Sequence, residues 1–395
     1  MVFASVMLSA LSIGQAPAVL SGVDVLERSG FQALIGRTVA LITNHTGKTA
    51  DGRSTVDVLF EALGGRLKAL FAPEHGIRGD LDERIPDGKD PRTGLPVYSL
   101  YNPGTGEQRY QPTSAQLEGV DTLVFDIQDI GARFYTYVGT LGYAMKAAAS
   151  RGIRVVVLDR PNPIGGQKVE GPVADKERLG LTAFHPIPVR HGMTAGELAG
   201  LFKDELKLNV ELQVIWCEGW RRDMWWDQTG LTWVNPSPNM RSVTQATLYP
   251  GICLVEATNV SVGRGTDTPF EWVGAPWLDG PKIANALNAR KIPGVRFYPV
   301  RFRPNASRHE GVDCGGVAFL VTERDKLDAV RVGCELAHAL KTAHPEWDTS
   351  RLVNLLQNSQ AAATVLESGY EAAYRQWKAG LDEFVQRRKK YLHYR

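Results

Sequence analysis

The chain has 395 residues, of which 43% are apolar and 22% charged, with 40 Gly and 22 Pro, and 45 Lys and Arg against 43 Asp and Glu leave a net charge of +2. At roughly 150 residues per domain this length holds two or three domains, and the ordinary composition excludes a disordered chain or a fibrous repeat. So small a net charge supplies no field to steer a polyanion, which excludes DNA and RNA as the natural partners.

The first eighteen residues, MVFASVMLSALSIGQAPA, are small and apolar and end in Ala16-Pro17-Ala18. They resemble the hydrophobic part of a secretory signal but lack its positively charged beginning. Residues 1–20 are therefore expected to form an atypical signal peptide, and the mature protein to work outside the cytoplasm, periplasmic or secreted. No later window reaches the ~18 uninterrupted apolar residues of a membrane span.

From residue 30 to about 170, short β-branched runs alternate with longer helical ones. TVALITN (38–44) precedes a helix over TVDVLFEALGG (55–65), and LKALFAPEHG (67–76) follows. DTLVFDIQDIG (121–131) precedes a helix over TLGYAMKAAASRG (140–152), and IRVVVLDRPNPIGG (153–166) is the fourth run. Apolar runs without period-2 alternation suit strands covered on both faces, with the helices as crossovers. The expectation is an α/β fold, a doubly wound and largely parallel sheet.

Each run stays apolar and then stops on reactive side chains: Asn44-His45, Glu74-His75, Asp126-Gln128-Asp129 with Arg133, and Asp159-Arg160 with Asn162. Ligands of open α/β sheets bind outside the carboxyl ends of the strands, so these four clusters are expected to converge on one crevice.

Further along, HPIPVRHG (185–192) and VELQVIWCEGW (210–220) read as strand-like, and between them a helix over 194–206 carries the Thr194/Glu197 capping box. The Gly- and Trp-rich stretch NVSVGRGTDTPFEWVGAPWL (259–278) reads as a functional loop. A helix over PKIANALNARK (281–291), strands VRFYPVRFRP (295–304) and CGGVAFLVT (314–322), then mostly helix, read as a smaller α+β domain. The division expected is 21–258 and 259–395. The basic run 386–390 reads as a solvated helix end.

Several chemistries fail on their motifs. The first strand-to-helix turn, TNHTGKTADG, lacks GxGxxG, and the GKT at 47–49 lacks the upstream Gly of a phosphate loop, where Ile42 stands. HExxH and GxSxG are absent. Cysteines 217, 253, 314 and 334 have no CxxC spacing and sit in or beside apolar runs, so they read as packing, or as one or two bridges in an exported protein. No cofactor is expected.

Carboxylates remain. Glu74 lies in FAPEHGIRGD, where a partly desolvated carboxyl group can stay protonated and act as a general acid. Asp126 and Asp129 supply further carboxylates, of the kind glycoside cleavage employs in pairs, and Arg133 is close enough to pair with either. His45 and His75 with Asp126 offer an alternative metal site, though nothing in their spacing specifies a metal. Tyr135, Tyr137, Trp233, Trp272 and Trp277 supply aromatic faces suited to sugar rings.

Taken together, TNHTG, FAPEHGIRGD, GLPVYSLY, DTLVFDIQDIGARFYTYVGTL, LDRPNPIGG, VEGPV, RHGMTAGELA, NPSPNM, LYPGICLVEATNVSVGRGTDTPFEWVGAPW and GVDCGGV resemble the NamZ-type exo-β-N-acetylmuramidases, from about residue 22 to the C-terminus. The resemblance implies release of terminal N-acetylmuramic acid from the non-reducing end of peptidoglycan fragments. It also implies a Rossmann-like N-terminal domain, a smaller C-terminal domain closing the cleft, and Glu74 as leading catalytic residue.

The second catalytic group stays open between Asp126, Asp129 and the substrate's own acetamido group. Arg133 and Arg264 are the expected cations for the lactyl carboxylate. Asn44, His45, His75, Tyr135, Asn239, Asn259, Arg264 and Asp267 are expected to position the sugar, with the 259–278 loop as wall. The competing readings are a non-catalytic binder of cell-wall fragments and a metal-dependent amidase or deacetylase.

Overall fold

A computed structural model describes residues 19–73, 77, 87–101 and 106–395. In chain order the first part holds α1 (Gly22–Arg28), β1 (Val39–Thr43), α2 (Thr55–Leu63), β2 (Leu67–Ala72), β3 (Gly88–Lys89), β4 (Pro96–Ser99), β5 (Thr122–Asp126), α3 (Tyr137–Ala149), β6 (Arg154–Leu158), β7 (Glu170–Val173), β8 (Pro188–Arg190), α4 (Ala195–Glu205) and β9 (Leu212–Ile215). Among the described residues β3-β4-β2-β1-β5-β6-β9 form one sheet in that order, parallel except for the β3–β4 edge pair.

The central strands are apolar throughout because both faces are covered. β1 and β5 are buried at every position. Ala40, Ile42, Leu123 and Phe125 face one core with α3 and α4, while Leu41, Val124 and Val156 face the other with α1 and α2. That two-sided burial is what an uninterrupted apolar run encodes. The predicted capping box of α4 is present, with Thr194 accepting from Glu197 N–H and Glu197 reaching back to Thr194 N–H.

The second part holds α5 (Val243–Ile252), β10 (Trp272–Ala275), α6 (Gly280–Ala289), β11 (Val295–Phe302), β12 (Cys314–Val321), α7 (Ala329–Ala343), α8 (Val353–Leu356) and α9 (Ser359–Arg388), the last broken at Gly369 with φ 76°. β10-β12-β11 form an antiparallel sheet. β10 corrects the expectation that 259–278 is loop throughout: its last third pairs with Gly315–Ala318 of β12. α5 and α7 cross where Gly251 and Gly333 touch backbone to backbone, and a Cβ on either would overlap the other helix. α5, though before residue 258, thus packs against the second part.

Two arginines stitch the parts together. Arg133 is 1% exposed and donates to the carbonyls of Pro172, Ile187, Leu355 and Leu356 at 2.7–3.1 Å. Arg388, expected to be solvated, is buried and donates to the carbonyls of Gly166, Gln167, His191 and Gly192. The tail follows it inward: Tyr394 Oη donates to the buried Asp159 carboxylate, and the His393 ring stacks on Trp216 at 4.0 Å. All four cysteines are buried free thiols.

Candidate active site

The sheet order reverses between β1 and β5. From β1 the chain steps to β2 and β4 on one side, then returns to β5, β6 and β9 on the other. Crossovers leaving in opposite directions open a crevice at the carboxyl ends of those two strands. Thr43 and Asp126, in register as the last residues of β1 and β5, stand at its floor, and the Thr43 hydroxyl donates to the Asp126 carbonyl at 2.7 Å.

Above them the next residues lock each other in place. Asn44 Oδ1 accepts from the backbone N–H and the hydroxyl of Thr46, and Thr46 Oγ1 accepts from Gln128 N–H at 3.0 Å. Gln128 Nε2 donates to the carbonyls of Asp129 and Pro161. Asp129 Oδ2 accepts from Gly131 N–H at 2.7 Å, in a turn where φ is 84° and a side chain would strike Asn162. His191 Nδ1 accepts from Met193 N–H, which leaves the proton on Nε2, 3.7 Å from Asp129 Oδ2 and beyond hydrogen-bonding range.

Among the described residues, Asn44 Nδ2, Gln128 Oε1, Asp129 Oδ1 and His191 Nε2 are buried without a hydrogen-bond partner. Each such group costs about 1–3 kcal/mol. At the switch point these four offer hydrogen-bonding capacity that a bound polar ligand can satisfy.

Asp126 is fully buried. Arg160 holds it from two nitrogens, at 2.5 and 2.9 Å, and the Thr55 hydroxyl donates to Oδ2. Arg160 also donates to the Lys48 carbonyl at 2.9 Å, which ties the 47–55 loop to the floor. Two cavities open beside that loop. One, of about 170 Å³, is lined by Thr46, Lys48, Gln128, Arg160, Trp226 and Val234 among others. The second, of about 440 Å³, is lined by His45, Lys48, Asp57, Ile77 and Arg92 among others. The crevice is roofed from the 235–240 turn, where the Asn235 and Pro236 carbonyls accept from His45 Nε2 at 2.6 Å and Tyr137 Oη at 2.7 Å.

The comparisons with known proteins decide the family. Residues 39–244 match the N-terminal domain, and residues 247–394 the C-terminal domain, of the family described as exo-β-N-acetylmuramidase NamZ. The chain belongs to the NamZ family. Peptidoglycan β-N-acetylmuramidase NamZ of Bacillus subtilis is 41% identical over 96% of this chain and 92% of its own length. Crystal structures of two DUF1343 family proteins of Bacteroides fragilis superpose with TM-scores of 0.88 and 0.76, at 34% and 27% identity, over 96% and 95% of this chain and 99% of each of theirs.

The residues named from sequence fall into three groups in this NamZ-family chain. Asn44, His45, Asp126, Asp129 and Tyr135 follow or close β1 and β5, and Asn239 lies in the roofing turn. Glu74 and His75 lie outside the described residues, as does most of the expected signal; β2, which they follow, ends beside β1. The rest line neither cavity. Arg133 is a brace, its two terminal nitrogens spent on main-chain carbonyls and burial pulling its pKa down to about 9. The Asn259 amide holds the Glu346 carbonyl and Asp348 N–H, and Arg264 pairs with Glu256 at 2.5 Å. The Asp267 carboxylate is exposed, 4.0 Å from Arg241, which donates to the Pro238 carbonyl of the roofing turn. Arg133 thus corrects the expectation that it holds the lactyl carboxylate, none of the four lines either described cavity, and Asp126, engaged at both oxygens, is an anchor for Arg160.

Among the described residues neither cavity is lined from 259–278; the wall comes from 226–234. Trp226, Lys48 and Thr46 were not singled out from sequence as site residues. Lys48 had a signal, its place in the GKT following the first strand end.

Proposed function

We infer that this chain is an exo-acting glycoside hydrolase that releases terminal N-acetylmuramic acid from the non-reducing end of peptidoglycan fragments. The observation that carries the reading is the match of both halves to the NamZ family, with a curated muramidase relative aligned over nearly the whole of each chain. The crevice supports it: a partly closed mouth where Trp226, Leu231 and Val234 stand beside Thr46, Lys48, Gln128 and Arg160 offers both the apolar face and the polar partners a sugar needs.

In this mechanism Glu74, two positions beyond β2, protonates the leaving glycosidic oxygen. The cation-like transition state is supported by Asp129, whose Oδ1 has no hydrogen-bond partner among the described residues, or by the substrate's acetamido group. Asp126, with both oxygens engaged by Arg160 and Thr55, holds the floor rigid. The same engagement weighs against a metal at His45, His75 and Asp126, since His45 Nε2 is also bonded to a carbonyl.

The substrates are muramyl saccharides derived from peptidoglycan, and an extracytoplasmic site of action accompanies the reading; cell fractionation tests the latter. For the activity, a chromogenic β-N-acetylmuramide is expected to be turned over by the wild type and not by a folded Glu74→Gln variant. Retention of the glycoside without turnover would favour the binder, and full activity of the variant would remove Glu74 as the acid.

A further inference from the structure

We propose that Lys48 is the cation that recognises the lactyl carboxylate of the terminal muramic acid. The proposal rests on the functional reading above and deepens it. N-acetylmuramic acid differs from N-acetylglucosamine by a 3-O-lactyl ether ending in a carboxylate, so a site that selects it needs a positive group at the sugar's edge.

Among the described residues, the other cations beside the two cavities are already committed. Arg160 is held on Asp126, Arg92 on Asp57 at 2.8 Å, and Arg53 on Glu27 and Asp51 at 2.7 and 2.9 Å. The two arginines expected from sequence are bound to main-chain carbonyls and to Glu256. Lys48 lines both cavities, and among the described residues its ammonium makes no ion pair or hydrogen bond. The anions nearby do not claim it. Asp51 turns to Arg53 and Thr49, Asp57 to Arg92, and Glu61 stands exposed at the second cavity.

Its backbone, in contrast, is fixed. The Lys48 carbonyl accepts from Arg160, residue 48 bridges Ser54, and Gly47 and Thr55 are bonded carbonyl to N–H at 2.9 Å. A rigidly mounted loop thus presents one flexible, uncommitted ammonium to the space between the cavities. That is how a compact point charge selects a carboxylate on a bound ring.

The test compares wild type, Lys48→Met and Lys48→Arg on 4-nitrophenyl β-N-acetylmuramide and on the same glycoside with its lactyl carboxylate converted to the amide. Lys48→Met is expected to lower kcat/KM on the acid by about 10- to 100-fold, through KM, which is the size of a lost charge-assisted hydrogen bond. On the amide it should stay within about 3-fold of wild type, and Lys48→Arg should recover most of the loss on the acid. Unchanged thermal unfolding shows that the variants fold.

Equal losses on acid and amide, or no loss on either, would overturn the assignment. Turnover by the wild type, measured alongside, separates the two levels. If the wild type releases the aglycone while Lys48→Met is unaltered, the lysine assignment alone falls; if the wild type turns over neither glycoside, the functional reading falls and the assignment with it.

Discussion

Replacing Arg160 by Met should destabilise the protein by about 3–5 kcal/mol, because it strands a charged partner in the interior. The side chains of Arg160 and Asp126 are 6% and 0% exposed, and two guanidinium nitrogens meet the two carboxylate oxygens. Without Arg160, Asp126 keeps the Thr55 hydroxyl as its side-chain donor, and the Lys48 carbonyl loses the Arg160 bond that anchors the 47–55 loop. Urea unfolding of wild type, Arg160→Met, Asp126→Asn and the double variant forms a thermodynamic cycle. The double variant should recover more than half of the loss, since no buried charge is then unpaired. Its KM for a muramide should nevertheless stay raised, because the loop remains untied. A single variant within about 1 kcal/mol of wild type, or a double variant no more stable than the single, would refute the reasoning.

Arg133→Met should cost about 3 kcal/mol or more, as four carbonyls lose a donor, that of Ile187 still accepting from the Ala174 N–H, yet leave KM of the folded enzyme unaltered; a raised KM at full stability would return Arg133 to substrate binding. Gly333→Ala should destabilise by about 1–3 kcal/mol in thermal unfolding, because its Cβ meets the Gly251 backbone of the crossing helix. Burial raises the Asp159 pKa from 3.8 to about 7. The folded state therefore holds a proton that the unfolded state has released across that interval. The resulting stabilisation is full below about pH 4 and lost as pH rises through 7. Asp159→Asn should flatten this fall in a urea series from pH 4 to 8, and an unchanged slope would assign it to another group.

The central strands were legible because burial on two faces leaves a direct imprint, an apolar run with no alternation, and β1, β5 and β6 end where their runs end. Their convergence on a crevice was legible for the same reason: side chains that break such a run must leave the core at its carboxyl end. What sequence does not carry is the commitment of each cation. Arg133 and Arg388 bond to carbonyls far away along the chain, and main-chain oxygens leave no signature in residue identity. Arg160 and Lys48 follow the ends of different strands, yet only the fold shows one locked on Asp126 and the other uncommitted among the described residues. β10 was hidden because Gly274, next to the Phe302 ring and the Gly315 carbonyl, has its strand character set by tertiary contact and not by propensity.

The most direct measurement is NMR of the first-formed product from a defined disaccharide with N-acetylmuramic acid at its non-reducing end. Free N-acetylmuramic acid should appear at the rate at which the glycosidic bond is lost, from wild type and not from Glu74→Gln, and the first anomer seen reports retention or inversion. Release of acetate with the glycosidic bond intact, or the same product from both proteins, would contradict the account.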